Sequence, residues 1–240
     1  MYKRVLLKLS GEALKGGSPD HILDVECVKN FASIMAQLNK LGVGVAVVIG
    51  AGNIWRGKYA KEVGMDPVSG DYMGMMGTVI NAVAVASSLR QHFQVDAVVY
   101  SAIPPIRHAT IAYDINKADE DLEKGKVVFL AGGTGNPFFT TDTAAAMRAI
   151  ELNCDAILMG KNGVQGVYDK DPQKYPDAKF IEKLTFNEML QMNLQIMDSS
   201  AVELLQGTNI DVRIFSMAEP ENFLKVINGE NIGTTMKGKF

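Results

Sequence analysis

The 240-residue sequence predicts an α/β protein, a three-layer α/β/α sandwich around a mainly parallel sheet. Three observations predict it. Short apolar runs alternate with longer helix-periodic stretches, and glycine- and hydroxyl-rich segments recur where those runs end. A hydrophobic content of 47% also allows a substantial core in a chain of this length. Such alternation requires crossover connections, which lay helices on both faces of parallel strands.

Taken in order, residues 5–9 read as a buried strand, 25–41 as a helix, 43–49 as a strand and 71–93 as a long helix. Residues 95–100 continue as a strand, 113–124 as a helix, 127–131 as a strand, 142–152 as a helix and 156–159 as a strand. Turn signals crowd 162–172, after which 184–206 reads as helix, with Met189, Met192 and Met197 as core filler. A strand at 212–215, a helix and a final strand at 234–236 complete the pattern. No repeat, low-complexity run or linker divides it. The expectation is one domain, residues 1–240, with two lobes at about 1–154 and about 155–240.

Composition removes several function classes. A formal charge of -3 and a pI near 5.7 argue against a nucleic-acid partner held by a broad basic surface. Cys27 and Cys154 lie far apart, without metal-ligand or CxxC spacing, and read as buried reduced thiols. The first ten residues are too short and polar for a secretory signal, and no uninterrupted apolar segment approaches membrane-spanning length. The expected location is the cytoplasm, with no membrane partner.

Four loops carry the candidate chemistry, each after a predicted strand: 10–11, 50–57, 132–143 and 160–166. Ligands of open parallel sheets collect outside the carboxyl ends of strands, so these loops predict one composite site. The third, Gly-Gly-Thr-Gly-Asn-Pro-Phe-Phe-Thr-Thr-Asp-Thr, joins a strand to a helix start. Its backbone amides suit an anion, and its hydroxyls at Thr134, Thr140, Thr141 and Thr143 with the amide of Asn136 suit a sugar or base edge.

Lys8 interrupts the apolar run 5–9, and a cation there requires an anionic partner unless it snorkels from an edge strand. Ser10 and Gly11 follow with donors for neighbouring oxygens. Gly50, Ala51, Gly52 and Asn53 permit close approach of backbone to phosphate, and Arg56 adds a planar fork. Neither a Walker A loop nor a full GxGxxG is present. Asp71 reads equally as a helix cap or as a ribose-binding carboxylate. Asp142 and Asp198 read as helix caps, or as carboxylates that orient the lysine, position magnesium, or both.

As a set, these segments resemble the bacterial UMP kinases of the amino-acid-kinase family, essentially from end to end. The carriers are Lys8 through Leu14, the loop 50–57, Asp71 with Met73 to Met75, the loop 133–143, the segment 162–172, and Met197 with Asp198. The resemblance implies the amino-acid-kinase (carbamate-kinase-like) fold and transfer of the ATP γ-phosphoryl group to UMP, a step of pyrimidine nucleotide biosynthesis. It implies that Lys8, Ser10 and Gly11 contact ATP phosphates, with Gly52 and Arg56 at the transfer point, and that Asn162, Tyr168 and Asp171 line the adenine nucleotide pocket. Asp71 would hold the ribose of UMP. Ala51 would approach UMP, and Thr134, Gly135, Asn136, Pro137, Phe138, Phe139, Thr140 and Thr141 would wrap it. Lys8 and Asp198 resemble the family's catalytic lysine and its orienting aspartate, with Asp142 near the transfer site.

The same resemblance implies magnesium with ATP as donor, UTP as feedback inhibitor and a homohexamer. It divides the lobes into a UMP-binding and phosphoryl-transfer lobe, about 1–154, and an ATP-binding lobe, about 155–240. Three departures stand out. Ala51 occupies the middle of a loop that usually holds three glycines, 15–24 lacks the glycine-isoleucine-aspartate pattern linked to GTP activation, and the stretch 107–119 also differs from common members. GTP control is therefore not inferred. Competing readings are a relative that phosphorylates a carboxylate or carbamate, a silent nucleotide-binding protein on the same fold, and a dehydrogenase, which would need the full dinucleotide fingerprint.

Overall fold

The structure is a computed structural model that describes residues 2–17, 20–161, 163–219 and 221–240. The first half lays down β1 (Arg4–Leu9), α1 (Val25–Lys40), β2 (Gly44–Ile49), α2 (Gly57–Glu62) and α3 (Pro67–Phe93). It continues with β3 (Ala97–Ser101), β4 (Ile111–Ala112), α4 (Ile115–Glu123), β5 (Val127–Ala131) and α5 (Thr141–Glu151). The second half adds β6 (Ala156–Lys161), β7 (Val167–Tyr168), β8 (Phe180–Ile181), β9 (Lys183–Thr185), α6 (Phe186–Gln191), α7 (Ser199–Leu205), β10 (Asp211–Ser216), α8 (Asn222–Ile227) and β11 (Thr234–Lys237).

Nine strands form one sheet in the order β4-β3-β5-β2-β1-β6-β10-β11-β9, and β7 pairs β8 in a separate ribbon. Every pairing in the large sheet is parallel except β10 with β11. The three-layer α/β/α sandwich predicted from the apolar alternation is the observed fold. Strands buried on both faces explain why β2 and β5 read as continuous apolar runs rather than alternating ones. Because β1 and β6 are neighbours, the sheet passes without a break across residue 154.

Alternate residues of β1 serve opposite cores. Val5, Leu7 and Leu9 pack with α1 and α3, whereas Leu6 packs with α4, α5 and α7. Helix boundaries follow local capping chemistry: Asp24 accepts from the Cys27 amide to open α1, and Asp114 accepts from Lys117 to open α4.

Five expectations change. The long helix begins at Pro67, not at 71, because Asp66 caps it and Pro67 supplies a preset first turn. The cap reading of Asp71 is thereby replaced by a place inside α3. The predicted helix 184–206 is instead β9, α6 and α7, with Asn193 in a left-handed conformation at the break. Within it, Met189 and Met197 are buried as expected, but Met192 is exposed.

The fourth change concerns α3, whose 27 residues are long and apolar enough, by length and composition alone, to cross a membrane. More than half of that stretch is buried inside the fold, where it packs on α1 and the sheet. It is a core helix. The fifth concerns the thiols: Cys154 is buried as expected, but Cys27 is half-buried.

Three tyrosine hydroxyls donate to carboxylates: Tyr2 to Asp211 at 2.7 Å, Tyr100 to Asp121 at 2.9 Å and Tyr113 to Glu151 at 2.6 Å. Burial pushes all three phenols up, Tyr2 to about 12. A group whose proton is held more tightly in the fold stabilises it fully below the unfolded value of about 10, and that contribution fades as pH rises through the folded values. Stability should therefore fall above pH about 10, and Tyr2→Phe should lessen the slope between pH 10 and 12. Identical slopes in urea unfolding for the variant and the parent would refute it.

Candidate active site

Lys8 shares its face of β1 with Leu6, the face that α5 covers, and there its ammonium meets the first turn of that helix. Nζ lies 2.6 Å from Asp142 Oδ1, and both side chains are less than one-fifth exposed. Breaking a buried pair by removing one partner commonly costs about 3–5 kcal/mol, because the other charge stays behind. Asp142 Oδ1 has no hydrogen-bond donor aligned to it, so this contact is one of charge.

The carboxylate on Lys8 is thus that of Asp142, not of Asp198. Asp198 caps α7 by accepting from the Ala201 amide at 2.8 Å, and its oxygens also accept from the hydroxyls of Thr140 and Thr143. Thr140 in turn caps α5, accepting from the amides of Asp142 and Thr143. Asp198 consequently reaches Lys8 only through the helix start that carries Asp142.

Lys161, at the end of β6, is a second half-buried ammonium that the sequence reading did not single out. It donates to the Ile196 carbonyl at 3.3 Å. Burial, and then Lys8, push its pKa down, while Asp142 opposes them. Its signal was available: like Lys8, it is a lysine at the carboxyl end of an apolar strand.

Ser10 and Gly11 follow β1 directly, and the Gly50 amide donates to the Leu9 carbonyl at 2.9 Å, which brings the first two loops together. Arg56 reaches back to Glu12, with its terminal nitrogen 2.6 Å from Oε1, and its Nε donates to Glu12 at 3.1 Å and to the Gly52 carbonyl at 3.2 Å. The Glu12 hydrogen bond raises the pKa of this exposed guanidinium. Glu12 was also missed, although it directly follows Ser10 and Gly11.

Ala51 is buried at ordinary backbone angles, and its methyl faces α3 at Gly77. A methyl added at Gly77 would stand 2.8 Å from that of Ala51. The alanine is accommodated by a notch in α3 rather than by the ligand cradle.

In the third loop, Gly132, Gly133, Gly135 and Phe138 all take left-handed angles. Thr134 and Asn136 bond each other across the turn, and Phe138 and Phe139 stand exposed. Asp71 accepts from the Phe138 amide at 2.7 Å, so the expected ribose carboxylate lies against the loop expected to wrap the nucleotide. Pro137 lies in the same loop, and Thr141 opens α5 with its hydroxyl near Gly50. Buried Arg148 stacks 3.9 Å over the Tyr113 ring and is held by Glu151 at 2.6 Å.

On the other side of Lys161 opens a cavity of about 630 Å³, lined by Lys161, Val164, Tyr168, Asp171, Met192 and Ile196, among others. Tyr168 is braced edge-to-face by Phe180 at 5.5 Å. The volume is in the range of a small-molecule site. Asn162, expected in this pocket, lies outside the described residues.

The class defined by this fold is shared by known proteins. Residues 3–216 match the family model described as "Amino acid kinase family", and the chain belongs to that family. Within it, the chain is 48% identical over 238 residues to a protein named uridylate kinase in Streptococcus thermophilus, covering 99% of this chain and 96% of that one. It is 44% identical over 229 residues to a uridylate kinase of Mycoplasma capricolum, covering 95% of each. Among solved structures, a UMP kinase from Bacillus anthracis superposes with a TM-score of 0.95 at 36% identity, covering 100% of this chain and 97% of that one. A UMP kinase from Ureaplasma parvum does so with 0.92 at 38% identity, covering 99% of each.

The Ala51 notch makes a testable pair. Gly77→Ala should destabilise by about 1–2 kcal/mol through overpacking, less whatever the helix gains from alanine. Combined with Ala51→Gly, the same change should become neutral or stabilising. Additive effects in urea unfolding would show that the two methyls do not compete.

Proposed function

We propose that this chain transfers the γ-phosphoryl group of ATP to UMP, reversibly, giving ADP and UDP, as a cytoplasmic step of pyrimidine nucleotide biosynthesis. The observation that carries the reading is the half-buried Lys8 ammonium, placed where the glycine loops after β1 and β2, the hydroxyl-rich loop before α5 and the end of β6 converge. End-to-end similarity to proteins named uridylate kinase supports UMP as acceptor.

In this reading residues 1–154 form the acceptor and transfer lobe, and 155–240 the donor lobe. Thr134 to Thr141, Ala51 and Asp71 hold UMP, while the cavity with Tyr168 and Asp171 holds the adenine nucleotide, with Asn162 as a contact expected from the resemblance alone. Ser10, Gly11 and Gly52 donate to phosphate oxygens. A nucleotide phosphate is already anionic near neutral pH and needs no general base. The barrier is repulsion between anions, which positioning and positive charge reduce. Lys8, Lys161 and Arg56 supply that charge, with Arg56 turning from Glu12 to phosphate. Asp142 orients Lys8, and Asp198 fixes the helix start on which Asp142 rides.

Magnesium fits this site as an ion shared with the nucleotide. Among the described residues no group of three or more His, Cys, Asp or Glu is arranged to hold a metal, and Asp142, whose Oδ1 already meets Lys8 at 2.6 Å, is the carboxylate nearest the transfer point. Such an ion, held by one carboxylate and the phosphates, would neutralise charge on the donor oxygens.

The reading extends to a homohexamer with UTP as feedback inhibitor. Val68, Tyr72, Met76 and Ile80 form an exposed apolar stripe at helical spacing on α3, which supports self-association.

ADP release should depend on UMP and exceed that with CMP, glutamate or carbamate. Lys8→Ala should lower turnover by at least about a hundredfold while the UMP KM moves less than about threefold. Near-normal turnover would remove Lys8 from the chemistry, and equal turnover with glutamate or carbamate would remove UMP as the acceptor.

A further inference from the structure

On α3, Asp71, Thr78 and Asn81 follow at spacings of seven and three, which a helix of 3.6 residues per turn brings to one side. Each grips a different stretch of the site. Asp71 accepts from the Phe138 amide at 2.7 Å, and Thr78 accepts from the Gly132 amide at 2.8 Å while donating to its own helix at Met75. Asn81, fully buried, donates to the Gly50 carbonyl and to Asn53 Oδ1, both at 2.8 Å.

Asn53 completes the lock. Its amide donates to Asn81 Oδ1 at 3.0 Å and to the Ile22 carbonyl at 2.6 Å, so both side-chain amides spend both donors. A methyl at Gly11 would overlap the Gly50 carbonyl and the Asn53 side chain, so the first loop rests on this same clasp. Unlike Asp71, the side chains of Thr78, Asn81 and Asn53 need not touch a substrate. Asp71, Thr78 and Asn81 share one rigid helix, whose rise of about 1.5 Å per residue puts roughly 15 Å between Asp71 and Asn81.

We propose that Asn81, locked by Asn53, and Thr78 are positioning residues: they hold the loop at 50–52 and the loop starting at Gly132 in a fixed spacing along α3. The kinetic part of this inference rests on the UMP kinase reading. Transfer between two bound phosphates is sensitive to such spacing, since a misplacement of about 1 Å can cost about a hundredfold in rate. The two anchors should therefore separate in their effects. Asn81 sets the transfer loop, and Thr78 sets the base of the acceptor loop.

Two near-isosteric variants test it. Asn81→Asp keeps the shape, removes the donor to Gly50 and sets a carboxylate against two acceptor oxygens. Thr78→Val removes only the hydroxyl. For Asn81→Asp we expect turnover to fall at least about tenfold with the UMP KM within about threefold, and faster amide hydrogen exchange at 50–53. For Thr78→Val we expect a higher UMP KM, a smaller change in turnover and faster exchange at Gly132.

The proposal is overturned if both variants keep parental kinetics and exchange, or if exchange rises uniformly along the chain in step with a lower thermal midpoint. Should the parent release no ADP with UMP, the proposed function fails by itself. Hydrogen exchange in the free protein still decides whether each residue holds its own loop.

Discussion

The ion pair between Lys8 and Asp142 is the constraint around which the rest of this site is arranged. A lysine in the central strand of a buried sheet is tolerable only with an anion in reach, and α5 brings that anion in its first turn. Around Asp142 the helix start is secured twice, by Thr140 as cap and by Asp198, which gathers the hydroxyls of Thr140 and Thr143 while capping α7. Two helix N-termini thus meet on one carboxylate, and the lysine's partner is fixed by that junction.

Beside this pair, Lys161 makes the electrostatics incomplete. Two half-buried ammonium groups share the influence of Asp142, and Lys161 has its pKa pushed down first by desolvation and then by Lys8. Arg56, by contrast, is satisfied by Glu12 at the surface. A polyanion entering between them would relieve repulsion already present in the free protein. In a phosphoryl-transfer reading, binding and catalysis then draw on the same stored asymmetry of charge.

Much of the architecture was legible along the chain, because buried parallel strands write themselves as apolar runs and their loops as glycine and hydroxyl clusters. The strands at β1, β2, β5, β6 and β10 were found within two residues of their observed ends. Errors arose where local signals compete. Asp66 and Asp71 are both plausible caps, and only the proline after Asp66 separates them. The stretch 184–206 carries an apolar helical period, but Thr185 and Asp198 cap two separate helices within it, and β9 precedes them because β11 offers its edge.

By itself the sequence determined the layer order, the edge where the loops gather and the residue types there, since these follow from periodicity and from the needs of buried backbone. It also determined that Lys8 required an anion. Which anion, however, only the tertiary structure decided. Both aspartates read as caps in the sequence, but only Asp198 is one; Asp142 stands in the first turn of α5, which Thr140 caps, and the packing of α5 over the Leu6 face of β1 brings it to Lys8. The same holds for Lys161, Glu12 and the Asn53–Asn81 clasp. Their partners lie on segments remote in sequence, joined by strand register and helix packing rather than by any local pattern.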